Sequence, residues 1–202
     1  FHLVPGYQGR GIGRRLLERA LDYGAGTTGK LLHSSMDPQA MRTYQRAGFA
    51  LEPTLDATGP VRRSALPSSA DVRVGESSDL DFAAQVDRLM RGSAHGPDLE
   101  LLFAAGARLL IIDRGRRRGY ALIDTVPRIV AATDEPTART LLWTALAESS
   151  ADEVSVAVLR ANQQWAIDVA VHAGLRLAPG GPLCSMGSTG PMTPYLPHTG
   201  VL

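Results

Sequence analysis

Cysteine is almost absent from this chain. Cys184 stands alone in 202 residues, which excludes a disulfide framework and a cysteine metal cluster within it. Lysine is as scarce: Lys30 is the only one, and the other basic residues are Arg, a bias we read as genome composition rather than function. Net charge is nearly missing too, at +1, so charge gives no attraction to nucleic acid or to a membrane surface. Long apolar runs are lacking. The strongest, Leu109-Leu110-Ile111-Ile112, is far short of the roughly 20 residues a membrane-spanning helix needs. No signal peptide is visible. The chain begins at Phe1 rather than Met, which leaves a targeting segment ahead of it open; the expected location is cytoplasmic. The length suits one large or two small domains.

What is present is glycine in a pattern. Val4-Pro5-Gly6-Tyr7-Gln8-Gly9-Arg10-Gly11-Ile12-Gly13 alternates glycines with Arg10 and Ile12, then runs into Arg14-Arg15-Leu16-Leu17-Glu18-Arg19-Ala20-Leu21. Ile12, Leu16, Leu17, Ala20 and Leu21 fall on one helical face, with Arg14, Arg15, Glu18, Arg19 and Asp22 opposite. Glycines at a helix N-terminus let backbone approach a ligand closely. The unpaired N–H groups and the positive end of the helix dipole there favour phosphate.

Three phosphate loops compete for this stretch. The dinucleotide fingerprint needs G-x-G-x-x-G, whereas these glycines read G-x-G-x-G. Gly24 to Lys30 spells G-x-x-x-x-G-K, but Leu31 replaces the Ser or Thr that would hold Mg²⁺, and the segment follows a helix and opens a strand, the reverse of a Walker loop. The third fits: Gln8-Gly9-Arg10-Gly11-Ile12-Gly13 resembles the Q/R-x-x-G-x-G/A acyl-CoA loop of the GNAT superfamily of N-acetyltransferases. A second segment agrees. Asp37-Pro38-Gln39-Ala40-Met41-Arg42-Thr43-Tyr44-Gln45-Arg46-Ala47-Gly48-Phe49 is similar to the family pattern N-x-x-A-x-x-x-Y-x-x-x-G-F, with Asp37 in place of Asn. The family's third helix corresponds to the one after the glycines, and Leu3-Val4-Pro5 to the end of its fourth strand.

In chain order, residues 11–23 read as a helix ended by Gly24 and Gly26, 30–35 as a strand, and a helix follows that Asp37 caps, with Pro38 at its first position. Residues 49–52 read as a return strand. This is about half a GNAT domain, so the resemblance implies strands one to three, and part of four, before Phe1. Residues 55–70, with Gly59, Pro60, Pro67 and a Ser-rich turn, read as a linker. From Asp71 on, the predicted order is β-α-α-β-β-β-α-β-α-β-β, with the last strands at 175–177 and 183–186. That is the whole GNAT plan. Arg91 to Asp98, Trp165 to Val169 and the ending Pro194-Tyr195-Leu196-Pro197-His198-Thr199-Gly200-Val201-Leu202 resemble actinobacterial tandem GNAT proteins. The expected fold class is therefore α/β with a mixed sheet: a partial N-terminal GNAT copy (1–54), a linker (55–70) and a complete but degenerate second copy (71–202).

In that second copy Thr133-Asp134-Glu135-Pro136 stands where a glycine loop belongs. Its carboxylates suit helix capping and repel phosphate, so this copy is read as structural or substrate-shaping. In the first, the backbone of Gln8, Gly9, Arg10, Gly11, Ile12 and Gly13 would hold the pyrophosphate, with Arg10, Arg14 and Arg15 adding charge-assisted contacts. By resemblance, Leu3 and Val4 would pair with the pantetheine arm, and Tyr44 would protonate the departing CoA thiolate. Asp37 is read as a helix cap. The general base is expected before Phe1. His33, His95 and Cys184 are read as structural, and Arg116 to Arg118 as a solvated turn.

The resemblance thus implies transfer of an acetyl group from acetyl-CoA to a small-molecule or protein amine, with no metal and with homodimerisation left open. The alternative is a non-catalytic acyl-CoA-binding or interaction protein.

Overall fold

The computed structural model describes residues 3–65, 71–200 and 202. The first helix, α1 (Ile12–Tyr23), starts from Gly11, which sits at φ 72°, a left-handed conformation that glycine adopts without the steric penalty other residues meet. Leu17 alone of its apolar residues is buried, Leu21 packs beside it, and Leu16 stays exposed. Strand β1 (Gly29–His33) leads to α2 (Pro38–Arg46). Asp37 caps α2 by accepting the Gln39 amide at 2.8 Å, and Gly48 (φ 97°) turns the chain out of it.

The return strand β2 is longer than the sequence indicates. It runs Ala50–Gly59, so residues 55–59 of the expected linker are strand. A 3-10 turn follows at Arg63–Ala65; residues 66–70 of the linker lie outside the described residues, as do Phe1 and His2. The Arg63 guanidinium donates to the carbonyls of Ala147 and Ser149, which ties this stretch to the second half of the chain.

The second half contains β3 (Arg73–Val74), α3 (Leu80–Met90), α4 (Pro97–Ala104), β4 (Arg108–Arg114), β5 (Arg117–Ile123), β6 (Pro127–Ala132), α5 (Glu135–Glu148), β7 (Val154–Leu159), α6 (Gln164–His172), β8 (Arg176–Gly187) and β9 (Tyr195–Leu196). It follows its predicted element order through α6 and ends on a strand the sequence does not predict, β9. Two further details differ. The cap before α3, for which Ser77 and Ser78 are the residues the sequence offers, is instead a reciprocal pair between Glu76 and Asp79 around a 3-10 turn. The last predicted strands fuse into one twelve-residue β8.

Strand pairing gives two antiparallel sheets. One is β3-β4-β5-β6-β9, and the other β1-β8-β2-β7. In the second sheet the two halves of the chain interleave: β8 lies between β1 and β2, and β2 lies between β8 and β7. The boundary expected at 54/55 therefore falls inside a strand shared with the second half. Close backbone approach makes this possible at Gly181, where an added Cβ would lie 1.9 Å from the Ser34 carbonyl oxygen. Thr54 donates its hydroxyl to the Gly181 carbonyl at 2.7 Å. The register of β2 with β7 shifts between Leu55 and Ala57. There Val158 takes φ 58°, a conformation rare for a β-branched residue, and its amide is held by the Asp56 carboxylate at 3.1 Å.

A repeat is visible in these elements. β1-α2-β2 and β7-α6-β8 share one plan. Asp37 and Gln163 occupy the two helix N-caps, Ala47 and Ala173 the C-caps, and Gly48 and Gly174 follow, both with positive φ. Each is preceded by a longer helix, α1 or α5. The main apolar core packs α5 and α6, through Leu141, Leu142, Trp165 and Val169, against both sheets. A smaller cluster packs Leu17 and Phe49 with Tyr44 around Cys184.

Candidate active site

The N-terminus of α1 has no side-chain cap. The first of its amides to bond within the helix is that of Arg15, to the Gly11 carbonyl at 3.2 Å. The amides of Gly9 to Arg14 have no protein partner among the described residues and point their partial positive charge outward. A short 3-10 turn at Pro5–Tyr7 delivers the chain to this point, and the Gln8 side-chain amide pins it by donating to the Leu3 carbonyl at 2.9 Å. Gly9 and Gly11 both have positive φ, and a Cβ on either would meet nothing within 4 Å. The space over the loop is open.

That space belongs to a cavity of about 560 Å³. Its wall brings together Leu3, Gln8, Gly9, Gly11, Ile12, Gly13 and Arg14 from the loop and α1, His33 and Ser35 from the end of β1, and Asp37, Ala40 and Tyr44 from α2. The two sequence segments singled out above thus face one another across one cavity. Val4 and Arg10 do not line it: Val4 is exposed, and the Arg10 guanidinium lies 6.0 Å from the Tyr7 ring. Arg14 lines the cavity and pairs with Glu18 at 3.1 Å on the exposed side of α1, an ion pair of small energetic weight.

Tyr44 is half-buried. Its ring packs edge-on to Phe49 with centroids 6.2 Å apart. Burial, reinforced by the nearby Cys184 thiol, raises its phenol pKa, so the hydroxyl keeps its proton at neutral pH. Cys184 is fully buried, and burial raises its pKa as well; a protonated, enclosed thiol is a poor nucleophile. Asp37 spends one carboxylate oxygen on the cap of α2.

The second helix N-terminus contrasts with the first. Asp134 caps α5 with its own carboxylate, accepting the Thr137 amide at 2.8 Å and the Thr137 hydroxyl at 2.9 Å. An anion approaching there would meet a carboxylate already bonded to the helix end. At the place in α6 that corresponds to Tyr44, counting from the caps and the terminal glycines, stands Ala170.

His95 is a satisfied buried histidine. Nδ1 bonds Asp87 at 2.8 Å and Nε2 meets the Tyr195 hydroxyl at 3.0 Å, while Tyr120 donates to the other Asp87 oxygen at 2.5 Å. His33 is different: its Nε2 is shielded from solvent and has no hydrogen-bond partner among the described residues. The sequence missed the polar cluster around His198, which lies close enough to His33 for their charges to interact. His198, in the segment after β9, is bonded by Arg128 Nη1 at 3.1 Å, and Arg128 in turn pairs with Asp124 at 2.7 Å. No local signal marks residues so far apart in the chain as neighbours. Among the described residues no group of His, Cys, Asp or Glu is arranged to hold a metal ion.

Residues 2–51 match the Acetyltransferase (GNAT) domain. The GNAT match covers the glycine loop, α1, β1, α2 and the start of β2. No curated protein matches the chain. Among solved structures, a putative acetyltransferase from Pyrococcus horikoshii aligns over 92% of this chain and 63% of its own, at 19% identity and a TM-score of 0.72. Eis1 from Mycobacterium abscessus aligns over 91% and 54%, at 16% and 0.52. A GCN5-related N-acetyltransferase from Anabaena variabilis aligns over 90% and 52%, at 14% and 0.53. The chain therefore spans just over half to about two-thirds of the length of these structures, and the likeness shows a shared fold extending well beyond the GNAT match.

Proposed function

We propose that this chain is part of an acyl-CoA-dependent N-acetyltransferase in which two GNAT-like copies are joined in tandem and only the first binds acyl-CoA. The observation that carries this reading is the meeting, in one cavity of about 560 Å³, of an uncapped helix N-terminus lined by left-handed glycines and a protonated tyrosine. The cavity is large enough for a drug-sized ligand, and the loop amides are suited to its diphosphate.

Within it, the amides of Gly9 to Arg14 bind the diphosphate, with Arg14 adding charge from the rim. The backbone at Leu3 guides the extended arm toward the end of β1, past His33 and Ser35. The amine nitrogen attacks the thioester carbonyl, a C–N bond forms and the C–S bond breaks. The sulfur leaves as a thiolate and takes the Tyr44 hydroxyl proton, which makes it a better leaving group. The nitrogen gives up its proton to a base. Cytoplasmic location and an amine acceptor belong to this reading. It is tested by following free thiol released from acetyl-CoA in the presence of a panel of amines. Thiol release that depends on the amine supports transfer. Coenzyme A binding without amine-dependent release would make the chain a binding protein instead.

A further inference from the structure

The second copy also has a slot, and it is filled. In the first copy the cavity lies beside Leu3, reaches the end of β1, and is bounded by the α2 cap residue Asp37. The equivalent ground in the second copy lies beside β6, the end of β7 and the α6 cap residue Gln163. Residues Met192 to Pro197 run through it. Tyr195 and Leu196 add to β6 as the antiparallel strand β9, opposite Ala131 and Val130, and the Ala132 amide donates to the Pro194 carbonyl at 3.2 Å. Two buried polar side chains are committed to this segment. Gln163, with no exposed surface, donates its amide to the Tyr195 carbonyl. Arg160, at the end of β7 and also buried, donates to the Met192 carbonyl. The Tyr195 hydroxyl bonds His95, and Leu196 sits in the main core.

We propose that residues 192–197 are the built-in ligand of a second binding slot, one whose chemistry takes a peptide-like chain with backbone-type amides and large apolar or aromatic side groups. A chain added along a strand edge satisfies that edge's N–H and C=O groups and is held by pockets for its side groups. The tail does both, and Gln163 and Arg160 read its carbonyls. Asp134, which seals the α5 end against anions, is then consistent with a slot that never receives a phosphate-bearing ligand. This inference rests on the repeat and the tail contacts, and it stands whether or not the first cavity takes acyl-CoA.

Hydrogen exchange on the intact chain tests it. Because Ala132 and Pro194 form a bonded position, the next bonded pair in an antiparallel ladder is Val130 with Leu196. The Leu196 amide is expected to exchange at least about 100-fold more slowly than in an unstructured peptide, as a strand rather than a frayed end does. Excess coenzyme A is expected to leave Leu196 unchanged and to alter exchange only around Gly9 to Arg14. Leu196 exchange at the unstructured rate, or accelerated by coenzyme A, overturns the inference. An absence of any coenzyme A effect at Gly9 to Arg14 overturns only the proposed function. In a folded Leu196→Asp variant, which expels the tail, a synthetic peptide of residues 191–200 should bind at one per chain and slow exchange at Val130. Failure of that folded variant to bind the peptide also counts against the slot.

Discussion

Tyr44 and His198 are where single side chains carry the account. Tyr44 keeps its proton because its ring is half-buried against Phe49 and Cys184. Its replacement by Phe preserves that packing and removes only the hydroxyl. Tyr44→Phe should lower kcat by on the order of 100-fold, the range of positioned acid catalysis, while coenzyme A affinity measured by calorimetry stays within about twofold; an unchanged kcat would reduce Tyr44 to a packing residue. For His198, burial first and then the Arg128 guanidinium lower its pKa below the ordinary 6.5. The folded state thus binds its proton less readily than the unfolded chain. The stability this provides is present above the ordinary value and is lost as pH falls through the lowered one. Thermal scans from pH 7 to 5 should show Tm falling, and His198→Gln should flatten that slope. Asp124 acts lower on the scale. Burial raises its pKa, but the Arg128 hydrogen bond and charge, with the amides of Val126 and Thr125, overcome this and bring it to about 2. Its own contribution is lost only as pH falls from 3.8 toward that value, but its charge also holds the His198 pKa up, so Asp124→Asn should steepen the pH 7 to 5 slope where His198→Gln flattens it.

Among the elements, the two helix N-termini are used in opposite ways. The end of α1 is left open by glycine, and the end of α5 is closed by Asp134. Asp134→Ala should destabilise the protein by about 1 kcal/mol, the usual weight of an N-cap, read as a fall in the denaturation midpoint with unchanged slope. It should create no coenzyme A site, because the tail still fills the slot beside it. Both ends were legible in the sequence, since Gly-x-Gly-x-Gly and Thr-Asp-Glu-Pro are local signals. The strands were less so. Gly59, Pro60 and Pro67 mark 55–70 as linker and so hide the end of β2, and Pro179, Gly180, Gly181 and Pro182 make β8 read as two strands with a turn. Proline removes a ladder donor, and β8 accommodates Pro182 in the register shift opposite Glu52 and Thr54. That compensation comes from a strand far away in the chain, so no window of sequence contains it.

The whole molecule is bound by the interleaving of β1 and β2 with β7 and β8. Element order as far as α6 and the two motif segments could be read from the sequence, and the structure brings those segments to one cavity. The pairing could not, because nothing local says which strand β8 will lie beside. One consequence is that residues 1–65, which hold all of β2, and residues 71–202, produced separately, should each fail to give a cooperative unfolding transition, and mixing them should restore one. Two independent transitions would mean that the shared sheet does not unite the halves. The central claim, that free amides at the start of α1 grip a diphosphate, is met most directly by calorimetric titration of coenzyme A into the chain and its Gly11→Glu and Gly11→Ala variants. Both substitutions strain the same left-handed position, by about 1 kcal/mol, but only Glu sends a carboxylate into the open space above it. The account predicts one coenzyme A per chain, binding retained in Gly11→Ala and lost in a folded Gly11→Glu; equal affinity in all three would contradict it.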